Sequence, residues 1–167
     1  PRRGAVQLVG EADGSCSLWD IEGQRRLSQV RVAGATDCQL QVINSEATLA
    51  AALLTVTGTN QTGGLVGFSL AGNIQNSYAS GAVTSSVGSY TGGLVAVASG
   101  GSIPNSYATG AVYGKGQNAG GLVGAAGNLA IANSYAAGAV TSDSSPNIGG
   151  LLGGDFGGSA VTPSFYD

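Results

Sequence analysis

From residue 63 onward the chain repeats one pattern of apolar and polar positions. Each copy opens with two glycines, a leucine and an apolar residue, and the full copies continue through an isoleucine to Asn-Ser-Tyr-Ala and Gly-Ala-Val. The leucines that open the copies are Leu65, Leu94, Leu122 and Leu151, which lie 29, 28 and 29 residues apart. The one-residue difference falls between the last valine and the next leucine, where Gly, Ser, Asn and Pro predict a surface loop.

The spacing of apolar residues within a copy predicts short strands. A helical repeat needs long apolar stripes, whereas here Gly or Asn interrupts the pattern every few residues. The stretches GLVG, I-x-NSYA and GAV predict three strands and three turns per copy. In the second stretch Ile, Asn and Tyr alternate, which predicts that they share one strand face. The period is typical of an all-β, parallel β-solenoid with one coil per repeat. Two shorter coils per repeat are the alternative.

A parallel solenoid explains why the same letters recur. Equivalent residues of successive coils lie about 4.8 Å apart, so identical side chains form ladders along the axis. We expect leucine and isoleucine ladders to fill the core and asparagine ladders to form hydrogen bonds along the axis. The predicted structural ladders are Leu65, Leu94, Leu122 and Leu151; Ile74, Ile103 and Ile131; and Asn76, Asn105 and Asn133.

Tyr78, Tyr107 and Tyr135 form a further predicted ladder, and they are the candidate ligand-binding residues. If the rings point inward, they belong to the core or form a half-buried ladder. If they point outward, they form an aromatic strip that could stack on sugars or on a protein partner.

The repeats define the predicted domain organisation. Full repeats span 63–91, 92–119 and 120–148, and a partial copy spans 149–167, one residue out of step after its glycines. We therefore expect a solenoid over 60–167. Residues 1–59 carry no clear repeat, and we expect a small β-rich subdomain there that caps one end of the solenoid, because an uncapped coil edge promotes aggregation.

Within residues 1–59 the pattern predicts strands at 16–21, 26–32 and 38–43, with another near 6–9. The segment 45–54 predicts one short helix that is capped at residue 44 or 45 and has Glu46 in its first turn. The alternative is a degenerate extra coil, because residues 43–45 echo the Ile-x-Asn-Ser pattern.

The composition narrows the range of functions expected for the chain. Only 9% of residues are charged and the net charge is −3, so the basic surface of a nucleic-acid-binding protein is missing. Residues 60–167 hold four charged residues, Lys115, Asp143, Asp155 and Asp167, and the whole chain has no histidine. Catalysis on such a scaffold needs grouped acids and bases, so we predict no enzyme activity and no catalytic residue. No apolar run reaches the ~18 residues of a membrane span, so we expect no membrane insertion.

The candidate metal and cofactor motifs also lack the residue spacing that such sites need. The acidic residues near Asp13 and Asp20 lack a calcium-loop spacing, and GKGQNAGG at 114–121 lacks the order of a phosphate-binding loop, so no metal and no cofactor are predicted. Cys16 and Cys38 are the two cysteines. They are compatible with one disulfide in an oxidising compartment, or with two reduced buried thiols. The chain begins at Pro1 rather than Met, so we expect it to be a processed or excised piece.

The succession GGLVG and NSYA-x-GAV resembles the GLUG motif repeat, which occurs in large bacterial surface adhesins and in non-catalytic parts of secreted IgA-cleaving metalloproteases. The resemblance covers about residues 62–167, and VAVASGG at 95–101 and Pro163 depart from the pattern. It implies a structural or adhesive module of a secreted or cell-surface bacterial protein, acting as a stiff stalk or attachment surface. Alternatives are a glycan- or ice-binding face and a self-assembling filament subunit. Expected partners are host or surface glycans or proteins, or further copies of the chain.

Overall fold

The structure is a computed structural model that describes residues 6–10, 15–20, 25–31, 40–43, 46–47, 56–87, 90–144 and 147–167, with side chains from residue 56 onward. All regular structure in these residues is β-strand. None of the described residues forms a helix that could cross a membrane.

The strands are short and follow one another closely. The first group is β1 Val6–Gly10, β2 Ser15–Asp20, β3 Arg25–Arg31, β4 Leu40–Ile43, β5 Glu46–Ala47 and β6 Val56–Gly58. The second is β7 Gln61–Gly63, β8 Val66–Leu70, β9 Asn73–Ile74, β10 Tyr78–Ala79 and β11 Val83–Ser85. The third is β12 Tyr90–Gly92, β13 Val95–Ser99, β14 Ser102–Pro104, β15 Tyr107–Ala108 and β16 Val112–Gly114. The fourth is β17 Asn118–Gly120, β18 Val123–Gly127, β19 Ala130–Ala132, β20 Tyr135–Ala136 and β21 Val140–Ser142. The last is β22 Asn147–Gly149, β23 Leu152–Asp155, β24 Ala160–Thr162 and β25 Phe165–Tyr166.

Strands β4 to β25 form five parallel sheets. Coils 1 to 3 each contribute one strand to every sheet, whereas coil 4 contributes a strand to four of them. Coil 1 is β7–β11, coil 2 is β12–β16, coil 3 is β17–β21 and coil 4 is β22–β25. The first sheet has the order β7-β12-β17-β22, the second β4-β8-β13-β18-β23 and the third β5-β9-β14-β19-β24. The fourth has β10-β15-β20-β25 and the fifth β6-β11-β16-β21.

The predicted parallel β-solenoid with one coil per repeat is confirmed. Val83 pairs with Val112, and Val112 pairs with Val140, so paired residues are one full repeat apart. Two coils per repeat would pair residues half a repeat apart and are excluded. The number of strands differs from the prediction, because each full coil has five short strands instead of three.

The corner asparagines are one reason for the additional strands. Asn76, Asn105 and Asn133 have φ angles of 51°, 52° and 49°, the left-handed conformation that asparagine tolerates better than most residues. This corner separates β9 from β10 in coil 1 and turns the chain. The predicted common face of Ile, Asn and Tyr is therefore wrong, because Ile74 is buried, Asn76 is exposed and Tyr78 is half-buried. The asparagines line up from coil to coil, and their left-handed conformation accounts for their residue type.

A second left-handed corner follows the second sheet. It is occupied by Gly100, Asn128 and Gly157 in coils 2 to 4, but by Ala71 in coil 1, where φ is 50°. Alanine in this conformation costs about 1–2 kcal/mol because its Cβ approaches the following carbonyl oxygen.

We expect the substitution Ala71→Asn to raise the free energy of unfolding by about 0.5–1 kcal/mol, because asparagine tolerates the left-handed region. The matched control is Asn128→Ala at the equivalent, equally exposed position of coil 3, which should lower it by a similar amount. Urea denaturation followed by far-UV circular dichroism measures both. Equal stability of the two variants would contradict the strain at Ala71.

The solenoid sheets include strands that lie before residue 60. Strand β4 pairs in parallel with β8, and β5 pairs with β9. The predicted helix at 45–54 is wrong where it can be compared, because Glu46 and Ala47 form β5 and pair with Asn73 and Ile74. The hydrogen bonds of sheet pairing outweigh the local helix preference. The extra-coil alternative agrees with these two strands.

The remaining N-terminal strands form a separate antiparallel sheet. It has the order β1-β2-β3, with a register irregularity between Leu18 and Trp19. Three of the strands predicted in residues 1–59 are therefore present here, and the fourth, predicted at 38–43, is β4 of the solenoid. A capping role for this sheet stays a prediction.

The leucine and isoleucine ladders occupy the core. Leu65, Leu94 and Leu122 are at most 1% exposed, and the isoleucines Ile74, Ile103 and Ile131 are fully buried. The leucine ladder is bonded through its backbone, since Leu65 N–H donates to Leu94 O and Leu94 N–H donates to Leu122 O. In the second sheet the consecutive residues 95–98 of β13 are all buried, so both faces of this sheet are covered, as in other parallel sheets.

Coil 4 keeps the register despite its extra residue. Val161 pairs with Ile131 and Phe165 pairs with Tyr135, so the chain is back in step after the loop at residues 156–159. In that loop the Gly157 N–H donates to Asp155 Oδ1. Hydrogen bonds from Ser159 and then from Gly157 hold the pKa of Asp155 below its ordinary value. The loop therefore absorbs the insertion without breaking the ladders.

Candidate functional site

The tyrosines form a continuous column on the fourth sheet. The rings of Tyr78 and Tyr107 are stacked with centroids 5.1 Å apart and planes 9° apart, and those of Tyr107 and Tyr135 with centroids 5.0 Å and planes 4° apart. The residue that follows each tyrosine is a buried alanine, at most 2% exposed. Because side chains alternate along a strand, the alanines face the core and the tyrosines face outward.

The column lies at the surface rather than in the core. Tyr78 and Tyr107 are half-buried and Tyr135 is 36% exposed. Phe165 pairs with Tyr135 at the next level and is 65% exposed. Both ring faces of Tyr107 are covered by its neighbours, so a ligand could reach only ring edges and hydroxyl groups there. A sugar therefore cannot stack on the ring face of Tyr107, which was one expectation from the sequence. The ligand-binding role of the column stays a prediction.

Stacking also changes the acidity of the central phenol. Burial raises the pKa of Tyr107 above its ordinary value of about 10, and charge repulsion from Tyr135 and Tyr78 raises it further. The folded chain therefore holds this proton to a higher pH than the unfolded chain does.

We expect stability to fall as the pH rises above about 10, the unfolded-state value for tyrosine, and on through the higher folded-state pKa of Tyr107. Below pH 10 this contribution is fully present. Urea midpoints between pH 8 and 11 measure the decline, which should be shallower in Tyr107→Phe. The decline that remains in Tyr107→Phe includes a contribution from the Tyr113 hydroxyl, whose pKa is raised by its hydrogen bond to Asp143. Parallel pH profiles for the two proteins would contradict this expectation.

A ladder of serines runs behind the column, one residue before each tyrosine. Ser77 N–H donates to Ser106 Oγ at 3.2 Å, and Ser106 N–H donates to Ser134 Oγ at 3.1 Å. Ser134 N–H in turn donates to Ser164 Oγ at 3.2 Å. Each hydroxyl also donates to a backbone carbonyl two residues earlier, as Ser106 Oγ does to Pro104 O at 3.0 Å. The first three serines are at most 1% exposed.

Sequence reasoning missed this ladder. The available signal was that serine follows the corner position in all four copies, even in coil 4, where Pro163 replaces asparagine and Phe165 replaces tyrosine. A small residue that is retained while both neighbours change indicates a specific internal hydrogen bond. The hydrogen bonds of these serines hold each tyrosine strand to the next coil.

One aromatic contact reaches across a coil. Phe156 of coil 4 meets Tyr90 of coil 2 edge to face, with centroids 6.0 Å apart and planes at 87°. We call the pair of Phe156 and Tyr90 the clasp.

The other predicted sites have different outcomes. Cys16 lies in β2 and Cys38 lies outside the described residues, so the disulfide stays a prediction. Among the described residues no three Cys, Asp or Glu side chains gather as a metal site. Of the charged solenoid residues, Asp143 accepts a hydrogen bond from the Tyr113 hydroxyl of the coil below.

Comparison with known proteins gives one match. Residues 58–84 match the family described as the GLUG motif. No curated protein and no solved structure matches the chain. The matched residues begin at the last residue of β6, include β7 to β10 and end within β11, so the motif corresponds to about one coil of the solenoid.

Proposed function

We propose that this chain, which carries a GLUG repeat region, is a non-catalytic structural and adhesive module of a secreted or cell-surface bacterial protein. GLUG repeats are a structural repeat type rather than a known catalytic family. The observation that carries the proposal is the continuous column of tyrosines on a scaffold bonded coil to coil. Such a scaffold presents the same surface chemistry at every level and holds it rigidly.

The interior supports a stiff scaffold. Backbone groups bond from coil to coil in all five sheets, and the serine ladder satisfies further buried N–H groups. Fully bonded backbone and a close-packed aliphatic core resist local opening, which is the state that proteases cleave. A module that works outside the cell benefits from a stiff fold and from resistance to proteases.

The location is tested by antibodies raised against the chain. We expect them to label intact, unpermeabilised source cells or to detect the protein in the culture medium. Labelling that requires permeabilisation would overturn the extracellular part of the proposal.

Attachment is tested separately with beads that carry the purified chain. We expect retention on surfaces coated with glycans or host proteins, and loss of retention in Tyr107→Ala. Tyr107→Phe is the matched variant, because it keeps the stacked column and removes only the central hydroxyl. No retention on any of these surfaces would leave a structural module without an adhesive role.

A second candidate function is self-assembly into filaments. The observation in its favour is the apolar surface of coil 4, where Ile148 is 50%, Val161 47% and Tyr166 69% exposed. Unpaired strand edges with apolar side chains promote association between chains. Electron microscopy across a range of concentrations tests this, with filaments expected to shorten in Ile148→Lys and a monomer at all concentrations as the contradicting result.

A further inference from the structure

The solenoid stores a large length of chain in a small height. The tyrosine rings of successive coils are 5.0–5.1 Å apart, while a coil uses 28 or 29 residues. The same residues, fully extended, span about 100 Å, roughly twenty times the height of a coil. A spacer of fixed length could be built from far fewer residues per ångström. The folded coils instead hold a large length of chain that unfolding can release.

The bonds between coils join nearest neighbours. Leu94 N–H donates to Leu122 O, and Ser102 N–H donates to Gly72 O, each about one repeat away. Strands run across the axis, so these hydrogen bonds run along it. In such an array each unit is stabilised by its own contacts and by those with its two neighbours. The clasp is the described ring contact that spans more than one coil.

The chain enters the array at one edge and leaves it at the other. The second sheet runs from β4 to β23 in sequence order, and the third runs from β5 to β24. Tension between the two ends of the chain therefore acts along the stacking direction. It separates the hydrogen bonds of the outermost coil strand by strand, instead of shearing all the strands at once.

Among the four coils of residues 61–167, coil 4 is the least buried. Val161 is 47% exposed, whereas Ile131, its partner in coil 3, is fully buried. Phe165 and Tyr166 are both more than 60% exposed. Elements with few buried apolar contacts open at the lowest free energy.

From these observations we propose that the solenoid yields to tension one coil at a time and so acts as an extensible tether. When residues 1–167 are pulled by themselves, the first coil to be released is coil 4. The tether role rests on the proposed extracellular function, but the stepwise release does not. A protein that joins a cell to a surface would lengthen under load instead of detaching. The clasp determines the load at which release begins, because Phe156 must leave Tyr90 before coil 4 can separate.

The test is single-molecule pulling of the full chain by handles at its two ends. We expect a first, shorter event from the partial coil 4, followed by events of equal size. Each full coil should add about 100 Å of contour length. A single event that releases all coils together would overturn the proposal.

Two variants identify the order of release. Phe156→Ala should lower the force of the first event and leave the later forces unchanged. The control is Val87→Ala, in the loop after β11, where the side chain is 76% exposed and no force should change. If Phe156→Ala leaves the first event unaltered, release does not begin at coil 4. Intracellular labelling by the antibodies above would remove the tether role while leaving the steps in place.

Discussion

Replacing Gly93 by alanine is expected to destabilise the solenoid by about 3 kcal/mol or more, among the largest effects for a single methyl group. Gly93 belongs to the glycine pair that opens coil 2. A Cβ there would overlap the carbonyl oxygen of Gly121 in coil 3 and would lie 2.9 Å from the Cβ of Ala108. Neither atom can move aside, because the first belongs to the backbone and the second is the Cβ of a buried alanine.

The overlap can be relieved only by moving coil 3 away from coil 2. That movement lengthens neighbouring bonds between the two coils, such as Leu94 N–H to Leu122 O at 2.9 Å. For a domain of this size the melting temperature should fall by about 10 °C. Thermal unfolding followed by near-ultraviolet circular dichroism of the stacked tyrosines measures it.

Gly127→Ala is the matched control. Gly127 is a strand glycine of coil 3 with an ordinary negative or extended φ, and its added Cβ would meet only the Cβ of Phe156, at 3.8 Å. That distance is normal van der Waals contact, so the melting temperature should stay within about 2 °C of the parent protein. Equal melting temperatures for the two variants would show that the coils are not held as closely as described.

The glycine pair illustrates what the sequence can predict. Its recurrence at a constant interval, together with β-prone residues between glycines, was enough for a parallel solenoid with one coil per repeat. Periodicity reports the coil because every coil must present the same shape to the next. The leucine and isoleucine ladders follow from the same argument, since an apolar residue at a fixed offset lies at one place in the cross-section.

Other features depend on backbone conformation, which periodicity does not report. Alternation assigned Asn76 to the face of Ile74, because a continuous strand was assumed. A single left-handed residue reverses that assignment and divides the strand. The helix predicted near Glu46 failed for a similar reason, because pairing with β9 depends on a segment distant in sequence. The outward direction of the tyrosines could not be chosen from the sequence, since a ladder forms equally well on either side of the sheet.

The serine ladder could be found only from the structure, and it leads to the second large effect. We expect Ser106→Ala to destabilise the chain by about 2–3 kcal/mol, because the buried N–H of Ser77 loses its acceptor. The carbonyl oxygens of Pro104 and Ile74, which share the one hydroxyl proton of Ser106, lose it in the same substitution. Together these losses exceed the value of one ordinary hydrogen bond.

The same chemical change at Ser69 should have the opposite sign. Ser69 is 1% exposed and its hydroxyl has no hydrogen-bond partner, while the equivalent positions in coils 2 and 3 are Ala98 and Ala126. A buried hydroxyl without a partner carries its full desolvation penalty, so Ser69→Ala should stabilise the chain by about 1 kcal/mol. Urea denaturation of the two variants under identical conditions measures the difference. If both variants lose stability equally, loss of packing volume outweighs hydrogen bonding in this core, and the serine ladder is not what holds the tyrosine strands together.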